Sequence, residues 1–281
     1  MPFADDPVTQ LYPPPSGPRP LAGLYLAHEL RARGTPGRPF VYTNFITSLD
    51  GRISERDASG RRRVPEAIAN ARDWRLYLEL MAQADVVLTT ARHLRAIAAG
   101  RERPLPGLTG PEAAGLAAWR EARGLAPAPT VAIASAELKV PAAALRRVVG
   151  PLLVLTHRGA PSARVMALTL EGANVRQVGA TARLTAAEIL AGLDGEGHRC
   201  IYSIAGPRML HTLLAGDALD RLYLTVAHRV LGGTGDTLMP DDALAPPAGF
   251  TPAATYFDPH APQHGGQLFL SLDRRPDGGA H

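Results

Sequence analysis

Short apolar runs alternate with segments of helical periodicity along most of the chain, and residues 199–214 show this most clearly. The run 200–204 predicts a buried strand, and the apolar positions of 209–214 recur at helical spacing. The break between them, Ala205-Gly206-Pro207, predicts a helix beginning at Pro207, because proline lacks an N–H group that would be unpaired there anyway. Small residues and the N–H groups of a helix start suit a phosphate, although many strand–helix junctions bind nothing.

The same periodicities predict an alternation of strands and helices over most of the chain. The predicted strands are 40–49, leading into Asp50-Gly51, then 85–89, 130–134, 152–156, 174–178 and 221–231, with a final hairpin of 253–257 and 267–272 around His264-Gly265-Gly266. The predicted helices are 66–83, 112–123 and 185–193, and Thr185 with Glu188 has the spacing of a capping box. This alternation predicts an α/β fold with a mainly parallel central sheet, helices on both faces and an antiparallel C-terminal hairpin.

Two segments stand outside that alternation. Residues 1–39 predict a proline-rich arm, extended and with little structure of its own, which ends in a short amphipathic helix over 21–33. Residues 96–129 predict a Pro/Gly-rich insert that contains the helix at 112–123. We find no internal repeat and no clear linker, so residues 40–275 predict a single domain that carries this insert.

Composition narrows the classes of function. No run of the 281 residues approaches the ~20 apolar residues of a membrane span, and the N-terminus lacks the basic and apolar regions of a signal peptide. Cys200 is the single cysteine, which excludes an internal disulfide and a cysteine-based zinc site and favours a cytoplasmic protein. The net charge of +4 comes without a basic tract interleaved with aromatics, so we expect anionic small ligands and not nucleic acid.

A polar stretch at the end of the first body strand is the best candidate for chemistry. The signatures of P-loops, zinc proteases, CxxC pairs, nucleophile elbows and dinucleotide-binding glycine turns are absent, and the nine histidines lack ligand spacing, so no metal site is predicted. Asn44, Ser48 and Asp50 share one face if the strand continues through them. Buried polar groups are costly unless paired, so these side chains indicate a ligand-facing edge; alternatively, Asp50-Gly51 is only a turn.

Together, these motifs resemble those of the pyrimidine reductases of riboflavin biosynthesis, which occur as the C-terminal domain of bifunctional deaminase–reductases and as stand-alone diaminopyrimidine reductases. The order of elements is similar from about residue 40 to 272. The matching motifs are Asn44-x-x-x-Ser48-x-Asp50-Gly51, Leu138-Lys139-Val140-Pro141, Gly206-Pro207 and Leu231-Gly232-Gly233. The resemblance implies a dihydrofolate-reductase-like fold, NADP(H) as cofactor, a phosphorylated small-molecule substrate and a homodimer.

The reaction that the resemblance implies is the NADPH-dependent reduction of a phosphorylated ribosylamino-pyrimidine to its ribitylamino product. The family's Gly-Ala-Gly-Thr and Asp-Asp-Pro motifs are replaced here by Thr90-Ala91-Arg92-His93 and Ile97-Ala98-Ala99, and the glutamate of its Glu-Gly-Gly by Ile204. Two alternatives therefore stay open. One is a reductase of the same fold acting on another pterin-like or carbonyl substrate, and the other is a non-catalytic NADP-binding protein.

Candidate site residues follow from the resemblance and from the position of the insert. Asp50 is the candidate for orienting or protonating the substrate, with Asn44 and Ser48 as hydrogen-bonding partners. In the insert, Glu102 and Arg101 are candidates for meeting the ribose and its phosphate. The candidates for cofactor binding lie at predicted strand ends and at the 205–209 junction: Thr89, Thr90, Arg92, Ser135, Lys139, Ala205, Gly206, Pro207, Arg208 and Met209.

Overall fold

The computed structural model describes residues 6–56, 62–101, 104–105, 107–108, 110, 113–194, 197–240, 242–261 and 265–275. The chain divides into two compact units. The first unit comprises Met1–His28, Tyr42–Glu79 and Gly206–His281, and the second unit comprises Glu29–Val41 and Leu80–Ala205.

Strands and helices alternate through most of the chain. In chain order the strands are β1 (Val8–Tyr12), β2 (Gly17–Arg19), β3 (Phe40–Thr47), β4 (Glu55–Arg56), β5 (Arg62–Arg63), β6 (Val86–Thr90), β7 (Thr130–Ala134), β8 (Leu152–His157), β9 (Asn174–Gly179), β10 (Cys200–Ser203), β11 (Arg221–Ala227), β12 (Phe250–Asp258) and β13 (Gln267–Arg274). The helices are α1 (Ala71–Gln83), α2 (Ala91–Ala98), α3 (Leu116–Glu121), α4 (Ala142–Leu145), α5 (Ser162–Leu170), α6 (Ala186–Leu193) and α7 (Pro207–Ala215). Two short 3-10 helices, Leu26–His28 and Leu30–Arg33, precede β3.

The first unit is built on mixed strands in the order β2-β1-β12-β13-β11-β3. The strands β3 and β11 are parallel, whereas β12 and β13 form an antiparallel hairpin in which β13 also pairs with β11. In the parallel pair, Asn44 lies opposite Tyr223 and Ile46 lies opposite Thr225. Because side chains two residues apart point to the same side of a strand, these four residues share one face.

The second unit contains parallel strands in the order β10-β6-β7-β8-β9. Its central strands are continuous apolar runs, and the side chains of Val86–Leu88 and Val131–Ile133 are fully buried, which is typical of parallel strands. Helix α6 begins at the predicted capping box, where Glu188 N donates to Thr185 Oγ1 at 3.2 Å and Thr185 N donates to Glu188 Oε2 at 2.8 Å. The local sequence therefore caps this helix at the predicted residue.

The predicted fold class is confirmed, since parallel strands, intervening helices and an antiparallel C-terminal hairpin are all present. The junction at residues 199–214 also forms as predicted, with β10 ending at Ser203 and Pro207 in the first turn of α7. In the hairpin turn, Gly265 and Gly266 are described, and His264 lies outside the described residues.

The prediction for the N-terminal arm is wrong in detail. The segment expected to lack structure forms β1 and β2, and β1 pairs with β12, where Thr9 lies opposite Phe257. Two short 3-10 helices replace the predicted amphipathic helix. Part of the reason is Glu79 of α1, whose buried carboxylate accepts hydrogen bonds from Gly23 N at 2.6 Å and Tyr25 N at 2.9 Å. These partners are distant in sequence, so proline content could not reveal them.

The predicted insert also differs from the structure. Its first residues belong to α2, and α3 covers only part of the predicted helix. Arg120 of α3 is buried and donates to the carbonyl oxygens of Ala82, Ala84 and Ala126, each at 2.8 Å. A buried guanidinium satisfied by three carbonyls fixes this segment in place. The segment around α3 is therefore anchored and is not a free surface loop.

Several element boundaries also differ from those predicted. Helix α1 begins at Ala71 instead of residue 66, because Asn70 Oδ1 accepts hydrogen bonds from the N–H groups of Arg72 at 3.1 Å and Asp73 at 2.9 Å. This is the geometry of an N-terminal cap. Strand β11 ends at Ala227, four residues earlier than predicted. Helices α2, α4 and α5 were not predicted at all.

Candidate active site

Two turns of the first unit are tied together by one carboxylate. Asp50 follows β3, and its Oδ1 accepts hydrogen bonds from Ser48 Oγ at 2.6 Å and from Leu231 N at 3.0 Å. Its Oδ2 accepts a hydrogen bond from Gly232 N at 2.8 Å. Asp50 therefore joins the turn after β3 to the glycine-containing turn after β11.

The stretch around Asp50 is a turn and not a continuation of β3. The strand ends at Thr47, and Gly51 has a φ of 77° and donates its N–H to Ser48 O at 3.0 Å. A φ in this range favours glycine. The prediction that Asn44, Ser48 and Asp50 share one strand face is therefore wrong for Ser48 and Asp50, whereas Asn44 lies within β3.

The hydrogen bonds to Asp50 hold it in its ionised form. The Ser48 hydroxyl contributes most, followed by the N–H groups of Leu231 and Gly232, and together they lower the pKa of Asp50 far below its usual value. A carboxyl with so low a pKa carries no proton at neutral pH. Of the two roles expected for Asp50, this geometry favours orienting a ligand and argues against protonating one.

A second carboxyl of the first unit holds a proton more readily. Asp73 lies in the first turn of α1, and its Oδ1 accepts a hydrogen bond from Thr225 Oγ1 at 2.6 Å. Burial raises the pKa of Asp73 to about 6, against the opposing effect of the Thr225 hydrogen bond. Since the Thr225 side chain lies on the same face as Ile46 and Asn44, Asp73 approaches that face of β3 and β11.

Sequence reasoning missed Asp73, although the pattern contained a signal. Tyr77 is an inward-facing position of the predicted helix, and Asp73 precedes it by four residues, so the two lie on the same side of α1. An acidic residue on the inward side of a helix needs a partner or a function. The partner, Thr225, is about 150 residues away in sequence, which the helical pattern could not show.

Hydroxyl groups collect at the carboxyl edge of the parallel strands in the second unit. Thr89 and Thr90 end β6, and Ser135 follows β7, in which Ala134 lies opposite Thr90. The hydroxyls of Thr89 and of Thr156 in β8 are buried, and no described residue hydrogen-bonds to them. Ligands of parallel α/β sheets bind at this edge, and a buried hydroxyl without a partner is costly. Three of the predicted cofactor residues, Thr89, Thr90 and Ser135, thus lie at the same edge. The hydroxyls of Thr89 and Thr156, which have no hydrogen-bond partner among the described residues, fit a polar ligand such as a nicotinamide nucleotide.

The strand β6 leads directly into α2, where the resemblance implied a glycine-containing loop. Thr90 is the N-cap residue and Ala91 is the first helical residue. Arg92 follows in the first turn and is exposed. The N–H groups of a helix start and a neighbouring guanidinium are both groups that attract a phosphate.

Lys139 lies after β7 and is held by two neighbours. Arg95 of α2 donates from Nη1 to Lys139 O at 2.9 Å, and Lys139 Nζ forms an ion pair with Glu137 at 2.6 Å. The two side chains of this ion pair are 59% and 67% exposed, so exchanging Glu137 for an anionic ligand requires little free energy. Arg95 and Lys139 are therefore held next to each other by a main-chain contact.

The predicted cofactor residues of the 205–209 junction differ in exposure. Ala205, which belongs to the second unit, is buried. In the first unit, Gly206 is the N-cap of α7 and is exposed, as is Arg208, and a Cβ at Gly206 would meet no atom within 4 Å. Met209 is buried, and its N–H donates to Gly206 O at 2.9 Å. Gly206, Pro207 and Arg208 thus leave an open helix start, whereas Met209 serves packing.

The structure does not place the substrate residues predicted in the insert, Arg101 and Glu102, at the carboxyl edge of the second unit. Arg101 follows the C-terminal end of α2, whereas Thr90 caps its N-terminal end. The eight residues of α2 rise about 12 Å, which separates Arg101 from the hydroxyls at the carboxyl edge. This placement argues against a role for Arg101 at that edge, and Glu102 lies outside the described residues.

The described ranges contain neither a candidate membrane span nor a candidate metal centre. None of the helices there combines the length and apolar character that crossing a membrane requires. Within the same ranges, no three His, Cys, Asp or Glu side chains are grouped so that they could hold a metal ion.

Comparisons with known proteins identify the family. The model of the RibD C-terminal domain matches residues 39–248, which is most of the chain, and a search of curated proteins returned no match. Among solved structures, a pyrimidine reductase-like protein from Corynebacterium diphtheriae is similar, with 19% identity, a TM-score of 0.66, and 85% of this chain and 93% of that chain covered.

Two further structures show the same fold. The riboflavin biosynthesis reductase of Saccharomyces cerevisiae has 15% identity and a TM-score of 0.53, with 90% of this chain and 99% of that chain covered. A Thermotoga maritima deaminase/reductase has 14% identity and a TM-score of 0.54, and the match covers 89% of this chain but 60% of that chain. On the family match, this chain belongs to the RibD C-terminal domain family, the pyrimidine reductases of riboflavin biosynthesis, and it is an oxidoreductase of that family.

Proposed function

We propose that this protein uses NADPH to reduce a phosphorylated ribosylamino-pyrimidine to its ribitylamino product. The observation that carries the proposal is the family match over residues 39–248. The unmet hydroxyls of Thr89 and Thr156 at the carboxyl edge of the second unit add independent support, because they suit a polar nucleotide. A homodimer and a cytoplasmic location are further parts of the proposal and rest on the resemblance and on the single cysteine.

In this proposal, residues of the second unit bind the cofactor and residues of the first unit orient the substrate. In the second unit, Thr89, Thr90 and Ser135 would hold the nucleotide, and Arg92 with Lys139 would meet its phosphates. When bound, NADPH supplies the hydride, and the protein places the nicotinamide. In the first unit, Asn44 and the ionised Asp50 would accept N–H or O–H hydrogen bonds and so orient the substrate.

Turnover with the phosphorylated ribosylamino-pyrimidine, followed as loss of NADPH absorbance, tests this function directly. We expect NADPH to bind more tightly than NADH by roughly 10- to 150-fold, because a charge-assisted contact to the 2′-phosphate contributes about 1.5–3 kcal/mol. Calorimetric titration of wild type, Arg92→Ala and Arg146→Ala measures this preference. Arg146 pairs with Glu171 on the surface and serves as the matched control.

The outcomes separate the candidate functions. Equal affinity for the two cofactors, or a preference unchanged in Arg92→Ala, would contradict the assignment of Arg92. A folded protein that binds NADPH but leaves the pyrimidine unchanged would favour another pterin-like or carbonyl substrate. That second candidate is supported by Ile97-Ala98-Ala99, which form the end of α2 where the family has Asp-Asp-Pro. Absence of turnover with every carbonyl tested would leave a non-catalytic NADP-binding protein.

Asp50→Asn is expected to lower kcat/KM by about 10- to 100-fold, and by the same factor at every pH from 6 to 9. The pKa of Asp50 lies far below this range, so the wild-type residue stays ionised throughout and its removal cannot create a pH-dependent loss. Steady-state kinetics at several pH values measures both features. Asp236→Asn, which removes a carboxylate paired with Arg62 at 2.9 Å, is the control and should leave kcat/KM within twofold. A loss that varied with pH would show that Asp50 exchanges a proton.

A further inference from the structure

The proposed reduction needs a proton as well as a hydride. Hydride joins C1′ of the ribosylamino group, the bond between C1′ and the ring oxygen breaks, and that oxygen takes a proton to become the hydroxyl of the ribityl chain. NADPH is oxidised to NADP⁺ in the same step, so atoms and charge balance once an acid supplies the proton. The ionised Asp50 cannot be that acid at neutral pH.

Asp73 has the geometry of a group placed to exchange a proton. Thr225 Oγ1 donates to its Oδ1 at 2.6 Å, and among the described residues no second side chain donates to this carboxyl. The residue Asp73 as a whole keeps some exposed surface, although its carboxyl lies deep enough for burial to raise its pKa. Thr225 of β11 pairs with Ile46 of β3, and both residues lie close to the carboxyl ends of their parallel strands. Ligands of parallel strands bind at that end.

Among the described residues, the other titratable groups of the first unit do not hydrogen-bond to the Asp73 carboxyl. Tyr25 interacts electrostatically with Asp73, and burial raises the pKa of Tyr25 well above its usual value, so this phenol stays neutral. Glu79, six residues after Asp73 in α1, accepts from Tyr25 N at 2.9 Å and from Arg75 Nε at 2.9 Å. The Tyr223 hydroxyl of β11 contacts His28 Nδ1 at 2.8 Å. None of these contacts occupies the Asp73 carboxyl.

We infer that Asp73, hydrogen-bonded to Thr225 on the Asn44 face of β3 and β11, is the proton donor to the substrate's ring oxygen. This inference rests on the proposed function. It divides the two carboxyls of the first unit by role: Asp50 stays ionised and orients the substrate, whereas Asp73 takes up a proton as pH falls through about 6 and delivers it. Two carboxyls whose surroundings push their pKa values apart are the usual sign of such a division.

The pH dependence of kcat/KM for the phosphorylated ribosylamino-pyrimidine tests the inference in four proteins: wild type, Asp73→Asn, Thr225→Val and Thr169→Val. In wild type, kcat/KM should fall as pH rises through about 6, because Asp73 loses its proton. Thr225→Val should move this fall to higher pH, since the lost hydrogen bond had lowered the pKa of Asp73. Asp73→Asn should lose about 10²-fold at pH 6 and show no fall there. Thr169, which donates to Val165 O in α5, is the Thr-to-Val control and should match wild type.

Each outcome decides between the alternatives. If the pH profile of Asp73→Asn matches that of wild type, whether or not activity is lost, Asp73 is structural and the inference is overturned. If Asp73→Asn fails to fold, Thr225→Val still decides, because a structural Thr225 would leave the profile in place. A folded wild-type protein without turnover of this substrate would reject the proposed function and the inference with it, whereas turnover with an unmoved profile rejects the inference alone.

Discussion

Asp258→Asn is expected to lower the free energy of unfolding by about 3–5 kcal/mol, because it leaves a buried guanidinium without its counter-charge. Asp258 Oδ2 accepts from Arg72 Nε at 2.8 Å, and the two side chains are 0% and 1% exposed. Gln267 Nε2 also donates to Asp258 Oδ2 at 2.8 Å, and Arg72 Nη2 donates to Asp6 O at 2.9 Å. The pair thus joins α1, the C-terminal hairpin and the N-terminal segment. Urea denaturation of both proteins at pH 7 measures the loss.

A double-mutant cycle separates the effect of the unpaired Arg72 charge on stability from the effect of changing the shape of the Asp258 side chain. Asp258→Asn keeps an acceptor for Gln267, so adding Arg72→Met removes the stranded cation and should recover part of the lost stability. The exposed pair of Arg63 and Glu55, with side chains 52% and 41% exposed, is the control, and Glu55→Gln should cost less than about 1 kcal/mol. A loss below about 1 kcal/mol in Asp258→Asn would show that the buried pair contributes little.

Much of the fold could be predicted from the sequence, because its elements carry local signals. The apolar runs of β6, β7 and β10 identify buried parallel strands wherever they occur. Pro207 and the Thr185–Glu188 capping box mark the starts of α7 and α6 in a few residues each. These features depend on short-range sterics and hydrogen bonding, so a single sequence contains them.

The arm and the candidate site were less predictable, because their partners are distant in sequence. β1 forms by pairing with the edge of β12, about 250 residues away in sequence. The proline content of the arm does not indicate this pairing. Asp50 was found through its motif, yet its state depends on the N–H groups of Leu231 and Gly232. Lys139 was assigned by resemblance, and its contact with Arg95 follows from α2 beginning directly after β6. Pairings of this kind appear only when the fold is known.

Asp73→Asn is expected to raise the free energy of unfolding by up to about 3 kcal/mol at pH 8, although the same change should impair catalysis. In the unfolded chain Asp73 ionises near pH 3.8, and in the folded protein it ionises near 6, so the folded state binds the proton more tightly between these values. Wild-type stability therefore falls as pH rises from about 4 to 6, and a rise in pKa of this size corresponds to roughly 3 kcal/mol. Asparagine stays neutral at every pH and still accepts the Thr225 hydrogen bond.

The pH dependence of that stability difference distinguishes a functional carboxyl from a structural one. Urea denaturation at pH 3, 5 and 8 should show no difference between wild type and Asp73→Asn at pH 3 and the full gain at pH 8. Asp217→Asn, a change at a 62% exposed carboxyl near Arg274, should shift stability by less than about 1 kcal/mol. If Asp73→Asn were less stable than wild type at pH 8, the ionised carboxylate would be serving the fold. A gain in stability together with a loss of turnover is the result expected of a buried active-site carboxyl, because such a residue is kept for function at a cost in stability.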